Sequence, residues 1–126
     1  MQKKTRLTLE ELLKNKEELI KRKSKKQTKD LYIKSLNATI TIQGMDDGMA
    51  KDIADMEDGD EYVVYNCVVS PNLKDKALQK EYGCVEPMEI VSQIFMDGEI
   101  NSISLECAKL SGFVDGVKAI GETKNS

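Results

Sequence analysis

Hydrophobic positions along the chain change period several times, and each change marks an element. Leu9, Leu12, Leu13, Leu19 and Ile20 fall on a broken helical stripe. Thr8, followed three residues later by Glu11, forms the capping-box signature of a helix N-terminus. This first helix is expected to fade near Arg22. Residues 21–29 carry six basic side chains and nothing apolar, which reads as a solvated linker or a fraying helix end. From Asp30 the period becomes two: Leu31 and Ile33, then Ile40 and Ile42, with Asn37 at a turn position between them. That pattern predicts an antiparallel hairpin of residues 29–35 and 38–43. A lone hairpin is marginal in water, so helices must cover one of its faces.

Helical spacing then returns. Met45, Met49, Ile53 and Met56 recur at steps of four, four and three, predicting a helix over residues 46–57 that Glu57-Asp58-Gly59 ends. Gly48 inside it costs about 1 kcal/mol relative to Ala. The run Tyr62 to Val69 is ambiguous. Its β-branched and aromatic residues favour a strand, whereas Asp58 with Glu61 reads as an N-cap pair. The reading adopted is a helix stopped by Pro71, with a third strand over 61–69 as the alternative. Asn72-Leu73-Lys74-Asp75 caps a short helix ending at Gly83, a good residue for the position after a helix. Pro87, suited to the first helical position, opens another with Met88, Val91, Ile94 and Phe95 on one face. Asp97-Gly98 punctuates. The last helix covers residues 99–111, with Ile103, Cys107 and Leu110 in register and Gly112 as its stop. Residues 115–126 lose their pattern and are expected to fray. The sum is an α-rich α+β fold: one β-hairpin packed with five or six helices, the N-terminal helix held on a basic linker. Residues 1–28 form the arm, 29–114 a compact domain and 115–126 a tail.

Composition narrows the class. The 126 residues suit one domain. Trp is absent and aromatics are 5%, so the core must rest on Leu, Ile, Val, Met and Ala. No run approaches the roughly 20 apolar residues of a membrane span, and the charged N-terminus lacks the apolar stretch of a signal peptide. Cys67, Cys84 and Cys107 are odd in number and scattered, as expected of reduced thiols in a cytoplasmic protein. The net charge of −3 hides an asymmetry. Residues 1–29 hold 11 Lys/Arg against 4 Asp/Glu, a balance of +7, and the remainder holds 8 against 18, a balance of −10. A basic arm precedes an acidic body.

The chemistry this sequence can support is limited. It has no histidine, so Ser-His-Asp and Cys-His arrangements cannot form within the chain. No Cys-x-x-Cys pair suggests zinc. The acidic turns around Gly48 and Gly59 resemble calcium loops only superficially. Setting Gly59 at the sixth loop position puts Ala54 at the first and Met56 at the third, and setting Gly48 there puts Gln43 at the first. Phosphate-cradling glycine motifs are missing. No cofactor or metal is expected, and an enzyme ranks last. The basic run Lys21, Arg22, Lys23, Lys25 and Lys26 could neutralise phosphates. It lacks interleaved aromatics for stacking, and the acidic body would repel the same polyanion. A nucleic-acid-associated regulator is therefore the alternative to a protein-binding module. The Met stripe reads first as core and second as an adaptable binding surface.

The segments Leu9-Glu10-Glu11-Leu12-Leu13-Lys14, Thr28 to Leu36, Asp60 to Val69, and Pro71 through Pro87 to Ile100 resemble the XkdN-like phage tail assembly chaperones. The resemblance covers about residues 7–113, and its matching residues are caps and packing positions without a catalytic signature. It implies a non-catalytic protein of Bacillus-type phages and prophage-like elements that escorts the tape measure protein, and other tail proteins with it, in the host cytoplasm. From the residues themselves, Leu9, Leu12, Leu13 and Leu19, with Lys21, Arg22, Lys23, Lys25 and Lys26 beyond them, form the candidate partner surface. An apolar stripe beyond a polar linker need not serve the core. Packing of that stripe on its own body or on a second copy is the competing reading.

Overall fold

The computed structural model of the protein describes residues 6–24, 26–46 and 48–112. Among them the chain forms seven α-helices and a three-stranded antiparallel sheet of order β1-β2-β3. β1 (Thr28–Ile33) and β2 (Ala38–Gln43) make the expected hairpin, with Leu31 opposite Ile40 and Lys29 opposite Ile42. A 3₁₀ turn over Lys34–Leu36 leads to Asn37, which takes the left-handed conformation at φ 49°. Asn tolerates that region better than most residues, and the Tyr32 hydroxyl donates to its Oδ1 at 2.6 Å. Ile33, Ile40 and Ile42 bury one side of the hairpin against helices, as its marginal stability alone requires.

The Tyr62–Val69 run divides between both readings. α4 (Gly59–Cys67) is helical, and β3 (Val68–Ser70) then pairs with β2, Ile42 opposite Val68. The helix prevails because Val63, Val64 and Cys67 are all buried on one side. A strand would have turned Val63 and Val64 to opposite faces. The hairpin therefore gains a third strand of three residues, shorter than the 61–69 alternative.

Within the body, helix bounds depart most from expectation in three places. α3 covers only Met49–Ile53, with Gly48 at its N-cap, instead of 46–57. After Ile53 the backbone tightens into i→i+3 bonds, Ala54 to Lys51 and Met56 to Ile53, and Glu57-Asp58-Gly59 opens α4. α5 (Lys76–Glu81) is capped by Asp75, whose carboxylate accepts from the Leu78 N–H at 2.8 Å. Gly83, at φ +69°, follows it as expected. α6 (Glu89–Ile94) begins two residues beyond Pro87, which is therefore not its first residue. α7 (Asp97–Leu110) takes Asp97 and Gly98 into its first turn, because the Glu99 carboxylate accepts from the Met96 N–H at 2.9 Å and satisfies the helix start. Gly112 stops it at φ +78°. Residues 115–126 lie outside the described residues.

One core joins these parts. Val63 and Val64 of α4, Ile90 and Val91 of α6, and Ile100 and Ile103 of α7 pack over the sheet with Leu73 and Phe95. Met45 and Met49 are buried in it, and Ile53 packs against it. Met45 and Met49 are core, the first reading of the Met stripe, whereas Met56 is half-buried outside it. No described helix is long and apolar enough to cross a membrane.

Candidate partner-binding surface

The arm is built from two short helices. α1 (Leu9–Lys14) starts at Thr8, whose hydroxyl oxygen accepts from the Glu11 N–H at 3.1 Å. Asn15 interrupts the stripe. Its N–H bonds to Glu11 O at 2.9 Å, closing α1, and its carbonyl accepts from Leu19, opening α2 (Lys16–Ser24). Glu17 and Glu18 lie in the first turn of α2 and Lys21, Arg22 and Lys23 in its last. That order complements the helix dipole at both ends. It explains why the helix does not fade at Arg22: the first four residues of the expected linker, 21–24, are the last turn of α2.

Exposure separates this arm from the core. Leu9 is 74% exposed, Leu12 43%, Leu13 71% and Ile20 59%. Leu19 is half-buried. The contacts of α1 and α2 with other described elements are chiefly with one another. Large apolar side chains at such exposure, gathered on one segment, form the kind of surface that marks interaction sites. Ile20 and Leu7, also exposed, extend the candidate set. Ile20 was visible as part of the stripe, and Leu7 occupies the position just before the N-cap.

The basic residues divide. Lys21, Arg22 and Lys23 are exposed on α2, and Lys25 lies outside the described residues. Lys26 Nζ meets Asp46 Oδ1 at 2.6 Å, and Gly44 N–H donates to Gln27 O at 3.1 Å. Lys29, in β1, donates to Glu106 Oε1 of α7 at 2.9 Å. Lys26 and Gln27 are thus tied to Asp46 and Gly44, and Thr28 and Lys29 open β1, instead of forming a solvated linker. Between arm and body lies a cleft of about 350 Å³ walled by Arg22, Lys23 and Lys26 on one side and by Asp46, Leu110 and Ser111 on the other. The hydrogen bond from Lys29 and the nearby Lys29 and Lys109 charges hold the Glu106 carboxyl below its usual range. Asp46 and Glu106 were not legible as partners of the arm, since nothing in sequence separation links them to Lys26 and Lys29.

Acidic turns that invited a calcium reading serve other ends. Asp60 lies in the first turn of α4, and its Oδ2 accepts from Asn101 Nδ2 at 3.1 Å. Among the described residues no group of three or more Cys, Asp or Glu side chains is placed to hold a metal ion.

The family model of the phage XkdN-like tail assembly chaperone protein matches residues 1–124. The chain belongs to that family. As an XkdN-like tail assembly chaperone it falls in a class whose role is generally non-enzymatic, and which implies contact with other tail proteins. No curated protein and no solved structure matches the chain. The family match spans the arm as well as the body.

Proposed function

We propose that this tail assembly chaperone is non-catalytic, works in the cytoplasm of the bacterial host, and binds the tape measure protein during tail morphogenesis through α1 and α2. The observation that carries this reading is the exposure of Leu9, Leu12, Leu13 and Ile20 on helices that pack chiefly on each other. A long, helix-rich partner can lay its apolar face against such a surface, a common recognition mode. Leu19 adds a half-buried step, and Lys21, Arg22, Lys23, Lys25 and Lys26 form a basic end that favours acidic positions on the partner. The segment up to Ser24 acts as an arm separable from the body, to which Lys26, Gln27 and Thr28 are bonded through Asp46, Gly44 and Gln43. The acidic body, at −10 over residues 30–126, helps keep the exposed stripe from driving self-association.

Co-expression with the tape measure protein, followed by purification through a tag on that partner, tests the reading. Co-purification in stable ratio is expected, and its absence overturns the partner assignment. A nucleic-acid role for the basic arm gains nothing from the geometry, since Lys26 and Lys29 already meet Asp46 and Glu106. Tight duplex binding that weakens steeply with salt would reinstate it.

A further inference from the structure

β1 is an edge of the sheet: β2 lies on one side of it, and among the described residues no strand lies on the other. The ladder shows which backbone groups face that open side. Gly44 N–H donates to Gln27 O, and the register, continued one step beyond Thr28 and Gln43, puts these two residues opposite each other. Antiparallel pairs alternate between hydrogen-bonded and non-hydrogen-bonded. Lys29, Leu31 and Ile33 are then the residues bonded to β2, and Thr28, Asp30 and Tyr32 turn their N–H and C=O groups outward. A free row of that kind is a template for another strand. Lys29, the residue best suited to blunt it, is drawn aside to Glu106.

An apolar groove runs beside that edge. α7 touches both β1 and β2, so its axis is set back from the outer side of β1. A volume of about 560 Å³ opens there between Leu31, Ile33, Met96 and Ile103. Leu31 is half-buried, whereas Tyr32 and Met96 are 58% and 64% exposed. An occupant must bring a row of backbone hydrogen-bonding groups and an apolar side chain on the α7 side. On the opposite face of β1, Asp30 Oδ1 accepts from Thr41 Oγ1 at 2.7 Å, which holds that carboxylate beside the open edge. Lys34, also exposed, follows the end of the strand.

We propose that the occupant is a second copy of this chain: β1 pairs antiparallel with β1 of its partner about a two-fold axis at Leu31, joining two three-stranded sheets into one. An axis perpendicular to the sheet keeps the helices of both copies on the same face and makes the contact self-complementary. Outward residues must meet outward residues, which leaves three registers. Centring on Asp30 sets like charges opposite each other, which is unfavourable. Centring on Tyr32 puts the next pair on Lys34, already in the 3₁₀ turn. Centring on Leu31 pairs Asp30 with Tyr32 of the second copy on both sides of the axis, with no like charges apposed. Leu31 of each copy then lies against the groove of the other, and Lys34 lies diagonal to the second copy's Asp30. The pairing uses no residue of α1 or α2 and is independent of tape measure binding there.

Sedimentation velocity of the full chain across a concentration series reads the assembly, and a reversible monomer–dimer equilibrium is expected. Asp30→Lys and Lys34→Asp should each weaken the dimer by roughly tenfold, through two symmetric sites, and the two together should restore it. Asp30→Pro removes an outward N–H and spares the bonds to β2, so it should give a folded monomer by circular dichroism. Leu31 meets its copy as a non-hydrogen-bonded pair, with Cα atoms about 4.5 Å apart, within reach of a disulfide. In a Cys84→Ser background, Leu31→Cys should give a covalent dimer on mild oxidation. Tyr32→Cys, displaced from its copy along the strand, should not. A monomer at every concentration overturns the proposal and leaves the edge to a foreign strand. Species that keep growing past the dimer overturn it too, since they mark β1 pairing with β3 of the next copy in an open array. A charge swap that fails to restore the dimer, or a Tyr32→Cys cross-link as fast as that of Leu31→Cys, contradicts it equally. Where Asp30→Pro fails to fold, the charge swap decides.

Discussion

Replacing Leu12 and Leu13 together by Ser distinguishes a partner surface from a piece of core. Two fully buried leucines truncated in a core would cost about 4 kcal/mol or more in total. For a domain of this size that lowers Tm by roughly 12 °C or more. Neither residue is buried, and α1 packs chiefly on α2, so that loss is not expected. The remaining cost is helix propensity, about half a kcal/mol per Leu→Ser change, and it falls on α1 alone. The main melting transition should therefore move by no more than about 2 °C. Binding should respond quite differently. Burying a Leu side chain against a partner contributes about 1.5–3 kcal/mol. The double change should weaken the complex by roughly two to four orders of magnitude. Calorimetric melting of the isolated protein, paired with titration against the tape measure protein, reads both quantities. A Tm loss of about 10 °C, or an unchanged Kd, would refute the reasoning.

Three further outcomes are expected. Glu106 has a lowered folded-state pKa because Lys29 donates to it, so its contribution is complete above pH 4.5 and is lost as pH falls through the lowered value. The Tm difference between the natural chain and Lys29→Met should shrink across that acid window, and a constant difference from pH 7 to pH 3 contradicts the assignment. A Cβ at Gly44 would lie 3.2 Å from Ser111 Oγ and 3.5 Å from its Cα. Gly44→Val should then cost about 1–3 kcal/mol in urea unfolding, whereas unchanged stability would mean that the end of α7 yields easily. Trypsin should cut first within residues 21–26 and leave a stable fragment from the β1 start onward, and equal resistance of arm and body would show the arm to be docked.

The parts of the fold that were legible in the sequence are those fixed by local chemistry. Thr8 with Glu11, Asn37 at φ 49°, Asp75, Gly83 and Gly112 all act through bonds or dihedrals within a few residues. β3 was harder, because a three-residue strand is defined by pairing with β2 some 26 residues earlier rather than by its own pattern. Gly48 and Gly98 were misjudged in opposite senses. Gly48, read as interior, is the N-cap of α3, and Gly98, read as punctuation, lies inside α7 because the Glu99 carboxylate caps that helix at Met96. At the candidate surface the stripe itself was legible, and the break at Asn15 was not. The Lys26–Asp46 and Lys29–Glu106 pairs are tertiary encounters that no spacing rule announces.

Hydrogen–deuterium exchange of the chaperone, free and bound to the tape measure protein, tests the central claim most directly. Exchange reads local opening along the backbone, so a partner laid on α1 and α2 slows precisely those amides that short, exposed helices otherwise release fastest. Slower exchange over residues 9–24, with the core of α4, α6 and α7 unchanged, is the predicted result. Unchanged exchange over residues 9–24, with protection confined to the β1 edge and the start of α7 around Tyr32 and Met96, would contradict it.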